Sequence, residues 1–142
     1  MAKNEKTPKN SEVKEKKKRN IKRNRARGNA YECKIAKELR ELGYPGIVTS
    51  RSESKAMDNA KVDLVDTENK LPINCQIKAT IKYPNYLEIK KACPLKDKPF
   101  VLFWSVIKPT ESTFRSEGEL VILEKSFFYK LLESYGKNNS NI

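Results

Sequence analysis

From Ile73 to Ile81 the chain alternates without interruption. Ile73, Cys75, Ile77, Ala79 and Ile81 fall on one side, and Asn74, Gln76, Lys78 and Thr80 on the other. A two-residue period sustained this long marks a β-strand with one apolar and one polar face, and no helix accommodates it. Thirteen positions before Gln76, Asp63 lies in a shorter strand-like run, Lys61 to Asp66. Turn-forming residues from Thr67 to Pro72 separate the two runs. Adjacent strands of this kind can place a carboxylate, an amide oxygen and an ammonium group around one point. A carboxylate and a carbonyl oxygen suit Mg²⁺, and a lysine can orient an attacking water or stabilise its transition state.

The remaining punctuation predicts an α/β domain. Asn29 and Gly43 bound a helix of about three turns. Ile47-Val48-Thr49 reads as a short strand and Ser50 to Lys55 as a polar loop carrying hydroxyls and cations. The segment Tyr83 to Lys91 fits neither period, although Pro84 can open a short helix. Phe100 to Ile107 is apolar on both faces and bounded by Pro99 and Pro109, as a buried strand should be. Glu119 to Leu123 reads as a further strand. Ser126 caps a last helix that turns Phe127, Phe128, Leu131, Leu132 and Tyr135 inward and ends at Gly136. The order implies a central mixed β-sheet flanked by helices.

Charge divides the 142 residues unevenly. Residues 1–27 hold 12 of the 30 basic side chains and 3 of the 18 acidic ones, a net of +9; residues 28–142 hold the other 18 and 15, a net of only +3. A nearly balanced domain, 28–136, therefore carries a disordered basic arm, 1–27, and a polar tail, 137–142. Such an arm suits a polyanion, nucleic acid above all. Arg19, Lys22, Arg23, Arg25 and Arg27, with Ser50, Arg51 and Ser52 of the polar loop, are the candidate phosphate contacts.

The chain contains no histidine. That excludes Ser-His-Asp and Cys-His catalysis, histidine-based phosphoryl transfer and most zinc-finger schemes. Cys33, Cys75 and Cys93 form no CxxC pair and no disulfide framework, so a reducing cytoplasm is expected, in a bacterial or archaeal cell or a virus-infected host cell. No apolar run is long enough to span a membrane.

On the first helix, Ile35, Ala36 and Leu39 make an apolar stripe edged by Tyr31 and Leu42, and Glu32 falls in its middle. A carboxylate on a buried face needs a partner. Asn29-x-x-Glu32 has capping-box spacing, which is one solution. A bound cation shared with Asp63 and Gln76 is the other.

A helix Glu32, a strand Asp63, then Gln76-x-Lys78 on the following strand resembles the PD-(D/E)xK nuclease superfamily, with Gln76 in place of the motif's acidic residue. Arg27-Gly28, Leu39-x-x-Leu42-Gly43 and Arg51-Ser52 ahead of Val62-Asp63 resemble its archaeal and phage Holliday junction resolvases. The resemblance covers roughly residues 25–80. It implies a restriction-endonuclease-like core and a Mg²⁺-dependent (or Mn²⁺-dependent) endonuclease acting as a homodimer on four-way DNA junctions. Glu32, Asp63 and Gln76 would be the metal ligands, and Lys78 the fourth catalytic residue. Two other readings compete: a DNA-binding or assembly protein with the same fold and no chemistry, and an RNA-binding protein of ribosomal type.

Overall fold

The computed structural model describes residues 10–50 and 62–139. Among these are three helices and five strands in the order α1 (Asn10–Glu41), β1 (Ile47–Thr49), β2 (Leu64–Asp66), β3 (Asn74–Thr80), α2 (Tyr86–Ala92), β4 (Phe100–Pro109), β5 (Phe114–Ile122) and α3 (Lys125–Asn139). No helix among the described residues is long and apolar enough to cross a membrane.

The first helix starts far earlier than the Asn29 cap anticipates. Between Asn10 and Arg27 there is neither proline nor glycine, and lysine and arginine are good helix formers, so nothing local stops the helix running back through the expected disordered arm. Asn29 lies inside it, where its backbone amide belongs to the helical ladder, and the capping-box explanation of Glu32 falls. The C-terminal end is as expected. Gly43 adopts φ +113°, its N–H donates to Arg40 O (3.2 Å), and Tyr44 N–H reaches Leu39 O (3.1 Å). These two bonds are the Schellman closure, and the positive φ is why glycine stands there.

Strands β3 and β4 are parallel, with Gln76 opposite Leu102 and Lys78 opposite Trp104, and α2 fills the crossover between them. Asn85 caps α2 by accepting from Glu88 N–H. Strands β4 and β5 pair antiparallel, so the three-stranded sheet is mixed, with β4 central and β3 and β5 outermost among the described residues. β1 and β2 form a separate antiparallel pair.

Two apolar layers sandwich this sheet. On one face Cys75 and Ile77 of β3 pack with Tyr31, Ile35, Ala36 and Leu39 of α1, and with Ile47 and Leu64 of the small sheet. On the other, Phe100 and Leu102 pack with Val62, Tyr86 and Cys93. Leu102 is completely buried. The alternation along β3 thus does what its period requires up to Ala79. Ile81, beyond the strand, is exposed.

The last helix departs from expectation. Among the described residues α3 buries no side chain: Phe128, Leu131, Leu132 and Tyr135 are all exposed, and Gly136 lies within the helix instead of ending it. Both faces of the sheet are already covered by other elements, so the apolar side of α3 has no layer to join.

Candidate functional site

Asp63 is the joint between the two sheets. Its N–H donates to Cys75 O (3.0 Å), and its C=O accepts from Ser50 N–H (2.8 Å). Its carboxylate Oδ2 accepts the N–H of Ile77 at 2.6 Å. An outer strand has backbone donors with no neighbouring strand to receive them, and a buried one left unpaired is costly. Here the carboxylate supplies the acceptor through a short, charge-assisted bond. It is thereby held against β3 at Ile77.

Strand pleating puts Gln76 and Lys78 on the face opposite Cys75 and Ile77. Gln76 Oε1 is fully buried and, among the described residues, receives no hydrogen bond. Asn29 Oδ1, one helical turn before Glu32 on α1, is buried without a donor in the same way. An orphaned amide oxygen costs on the order of 1–3 kcal/mol, so such an atom signals a missing donor or cation. Glu32 is buried at 7 % exposure, on the α1 face that packs over β3. The structure therefore ties Asp63 to β3 at Ile77, the residue between Gln76 and Lys78 in the strand. It places Glu32 on the helix covering the other side of that strand.

The donor set consists of hard oxygens, which suits Mg²⁺ or Mn²⁺. Cys75 adjoins Asp63, and burial, reinforced by the Asp63 charge, pushes its thiol up to about 12, so it stays protonated at neutral pH. Among the described residues no three His, Cys, Asp or Glu side chains gather into a metal-holding group. A cation here would consequently need the Gln76 amide oxygen in addition to carboxylates. Asp66 contributes nothing. Its carboxylate accepts from the amides of Glu68 (3.0 Å), Lys70 (2.8 Å) and Leu71 (2.8 Å), closing the turn into β3.

Half-buried Lys78 opens onto a groove of about 670 Å³ between α1 and the end of β3, shared with Arg23, Arg27 and Lys82. Lys22, Arg23 and Arg25 are exposed along α1. Arg27 is half-buried, with its guanidinium carbon 4.3 Å from the centroid of the Phe114 ring. Arg19 belongs to α1 by its backbone. Arg51 and Ser52 lie outside the described residues. Ser50, expected on a phosphate-gripping loop, is instead 1 % exposed, because its amide is drawn into the junction with Asp63. Sequence patterning gave no hint of the buried amide oxygen of half-buried Asn29, since a helix start at that position hides it. The Arg27–Phe114 contact joins residues too far apart in the chain for any periodicity to reveal.

Comparison of the chain with known protein families, with curated proteins and with solved structures finds no match.

Proposed function

We propose that the protein is a metal-dependent, structure-selective DNA endonuclease of the Holliday junction resolvase kind, built on a restriction-endonuclease-like core. The observation that carries the reading is the buried Oε1 of Gln76, without a donor among the described residues, on the strand whose next amide, that of Ile77, is held by the carboxylate of Asp63, with Lys78 two residues along the same strand face. Asp63 and Gln76 would hold a Mg²⁺ ion at the edge of β3 that is outermost among the described residues, and Glu32 would approach from the helix side. The ion would supply Lewis acidity toward a phosphodiester oxygen and lower the pKa of water. Lys78 would orient the attacking water and donate toward the charge that develops on phosphorus-bound oxygen. Cations along α1 would grip phosphates without reading bases, which suits recognition of shape.

A second copy of the chain would cover Phe128, Leu131 and Leu132 of α3, each about half exposed. Two copies would supply one cutting site per strand of a symmetric junction.

The test incubates labelled four-way junction, matched duplex and structured RNA with the protein in Mg²⁺, Mn²⁺ and EDTA, alongside Asp63→Asn and Lys78→Ala. Paired nicks in the junction alone, abolished by EDTA and by either substitution while binding persists, are expected. Junction binding without cutting in either metal would leave a DNA-binding protein that lacks the chemistry. Preference for RNA would replace the reading altogether.

A further inference from the structure

The groove beside Lys78 has features that phosphate contact alone does not use. Its charged lining is wholly cationic: Arg23, Arg27, Lys78 and Lys82, with no carboxylate among the described lining residues. The wall formed by Ile81 and Lys82 runs directly into Tyr83, which is 66 % exposed. Tyr83 does not wave freely. Its ring meets Trp104 in an edge-to-face contact, with centroids 5.5 Å apart and planes at 87°. Trp104 is itself 8 % exposed and fixed by its indole N–H, which donates to Thr80 Oγ1 (3.0 Å) and Thr80 O (3.2 Å). The tyrosine is thus braced from beneath by a buried indole while most of its own surface faces water.

A solvent-facing aromatic ring braced by an indole, next to a stripe of cations, matches one chemistry well: a flat apolar base on a phosphate backbone. Duplex DNA cannot supply it, because its bases are stacked on one another. Only a strand with an unstacked nucleotide can place phosphates in the groove and a base on the ring at the same time. We propose that Tyr83 is a stacking platform for an unpaired base of a DNA strand whose backbone lies along Arg27, Lys78 and Lys82. The proposal rests on the nuclease reading only in taking DNA as the ligand. It adds that the strand is locally opened at the site, and it assigns a residue to hold it open.

The chain has a single tryptophan, so Trp104 emission reports on this platform without labelling. The full chain is titrated with a short oligothymidylate, with the same oligomer carrying one abasic position, and with a duplex of equal length. The variants are Tyr83→Ala and Tyr83→Phe, each checked for an unchanged melting temperature. Wild type and Tyr83→Phe should bind the single strand alike, with a change in Trp104 emission. Tyr83→Ala should bind it at least about fivefold more weakly, within the range that loss of one base–aromatic stack gives. Duplex affinity should differ by less than about twofold across all three proteins. The abasic oligomer should lose affinity toward wild type while Tyr83→Ala no longer discriminates it. Equal single-strand affinity of Tyr83→Ala and wild type, or an equal loss for duplex, overturns the platform even if the junction is cut as proposed. Absence of any DNA binding by wild type overturns the nuclease reading and the platform together.

Discussion

Asp63 has two roles that one substitution confounds and two substitutions separate. Its Oδ2 receives the Ile77 amide at 2.6 Å, and Ile77 is 5 % exposed, so removing the acceptor strands a buried donor on an outer strand. Hydrogen bonds to charged groups contribute about 1.5–3 kcal/mol. Asp63→Ala should therefore lower the melting temperature by roughly 5–15 °C in a domain of this size. Asp63→Asn keeps a carbonyl oxygen at the same place and loses the charge. It should retain most of that stability, melting within about 5 °C of wild type. Its metal-dependent cleavage should nevertheless vanish, since an amide in place of the carboxylate leaves Glu32 as the only anion of the proposed ligand set. Thermal unfolding by circular dichroism reads the first effect, and cleavage of a labelled four-way junction in Mg²⁺ reads the second. If Asp63→Ala melts with wild type, the carboxylate does not cap β3. If Asp63→Asn cleaves at the wild-type rate, it is not a metal ligand, whatever it does for stability.

Gly46→Ala would set a Cβ 2.6 Å from Asp66 Oδ1 and 2.8 Å from Thr67 Oγ1, and three amide bonds prevent Asp66 from yielding. A cost of about 1–3 kcal/mol is expected as a lower denaturation midpoint, and an unchanged midpoint would show that the turn relaxes. For Asp66 itself, burial opposes the charged form, but the amides of Glu68, Lys70 and Leu71 outweigh it and hold the carboxyl below its ordinary value of 3.8. Its contribution to stability is complete above pH 3.8 and lost as pH falls through the lower folded value. Asp66→Ala should accordingly be less stable than wild type at neutral pH, with the gap closing in acid; a constant gap would count against it. Replacing Leu131 and Leu132 by Asp should shift the sedimentation coefficient from dimer to monomer, and a wild type that sediments as a monomer would remove α3 as an interface.

Elements whose local chemistry and tertiary role agree were legible in the sequence. The period of β3 needed only alternation, the stop at Gly43 needed only a residue that accepts positive φ, and β4 needed only a long apolar run between prolines. Misreadings came where a residue's role depends on elements distant in sequence. Asn29 resembles a helix cap because Asn usually is one, yet the good helix formers before it carry α1 on to Asn10. The apolar stripe of α3 promised burial, but a stripe states only that a helix can be covered, not that this chain covers it. Ser50 read as a surface hydroxyl because its neighbours are polar; the Asp63 carbonyl, thirteen residues away, is what draws it inward. For the candidate site, the sequence supplied Asp63, Gln76 and Lys78 as a set. It could not show that Glu32 lies on the helix covering the opposite face of β3, because which side of a strand a helix covers is decided by the rest of the sheet.

Glutamine at position 76 and the anchoring of Asp63 explain each other. If one ion is to bridge positions 63 and 76, a second carboxylate at 76 would come close to a carboxylate already committed to the Ile77 amide, and two like charges in a poorly solvated space raise each other's pKa. One of them would then tend to hold a proton and lose its value as a ligand. A neutral amide avoids that repulsion and still offers a ligating oxygen, at the cost of weaker attraction for a divalent ion. The anchoring of Asp63 works in the other direction. Its side chain has given up its rotamer freedom on folding, so less entropy remains to be lost when an ion binds. A site with less charge but a pre-set carboxylate is therefore chemically coherent. On the proposed reading it would call for a cation at higher concentration than a site with an acidic residue at 76 would, and the buried oxygen of Gln76, without a donor among the described residues, is the atom that such a cation would engage.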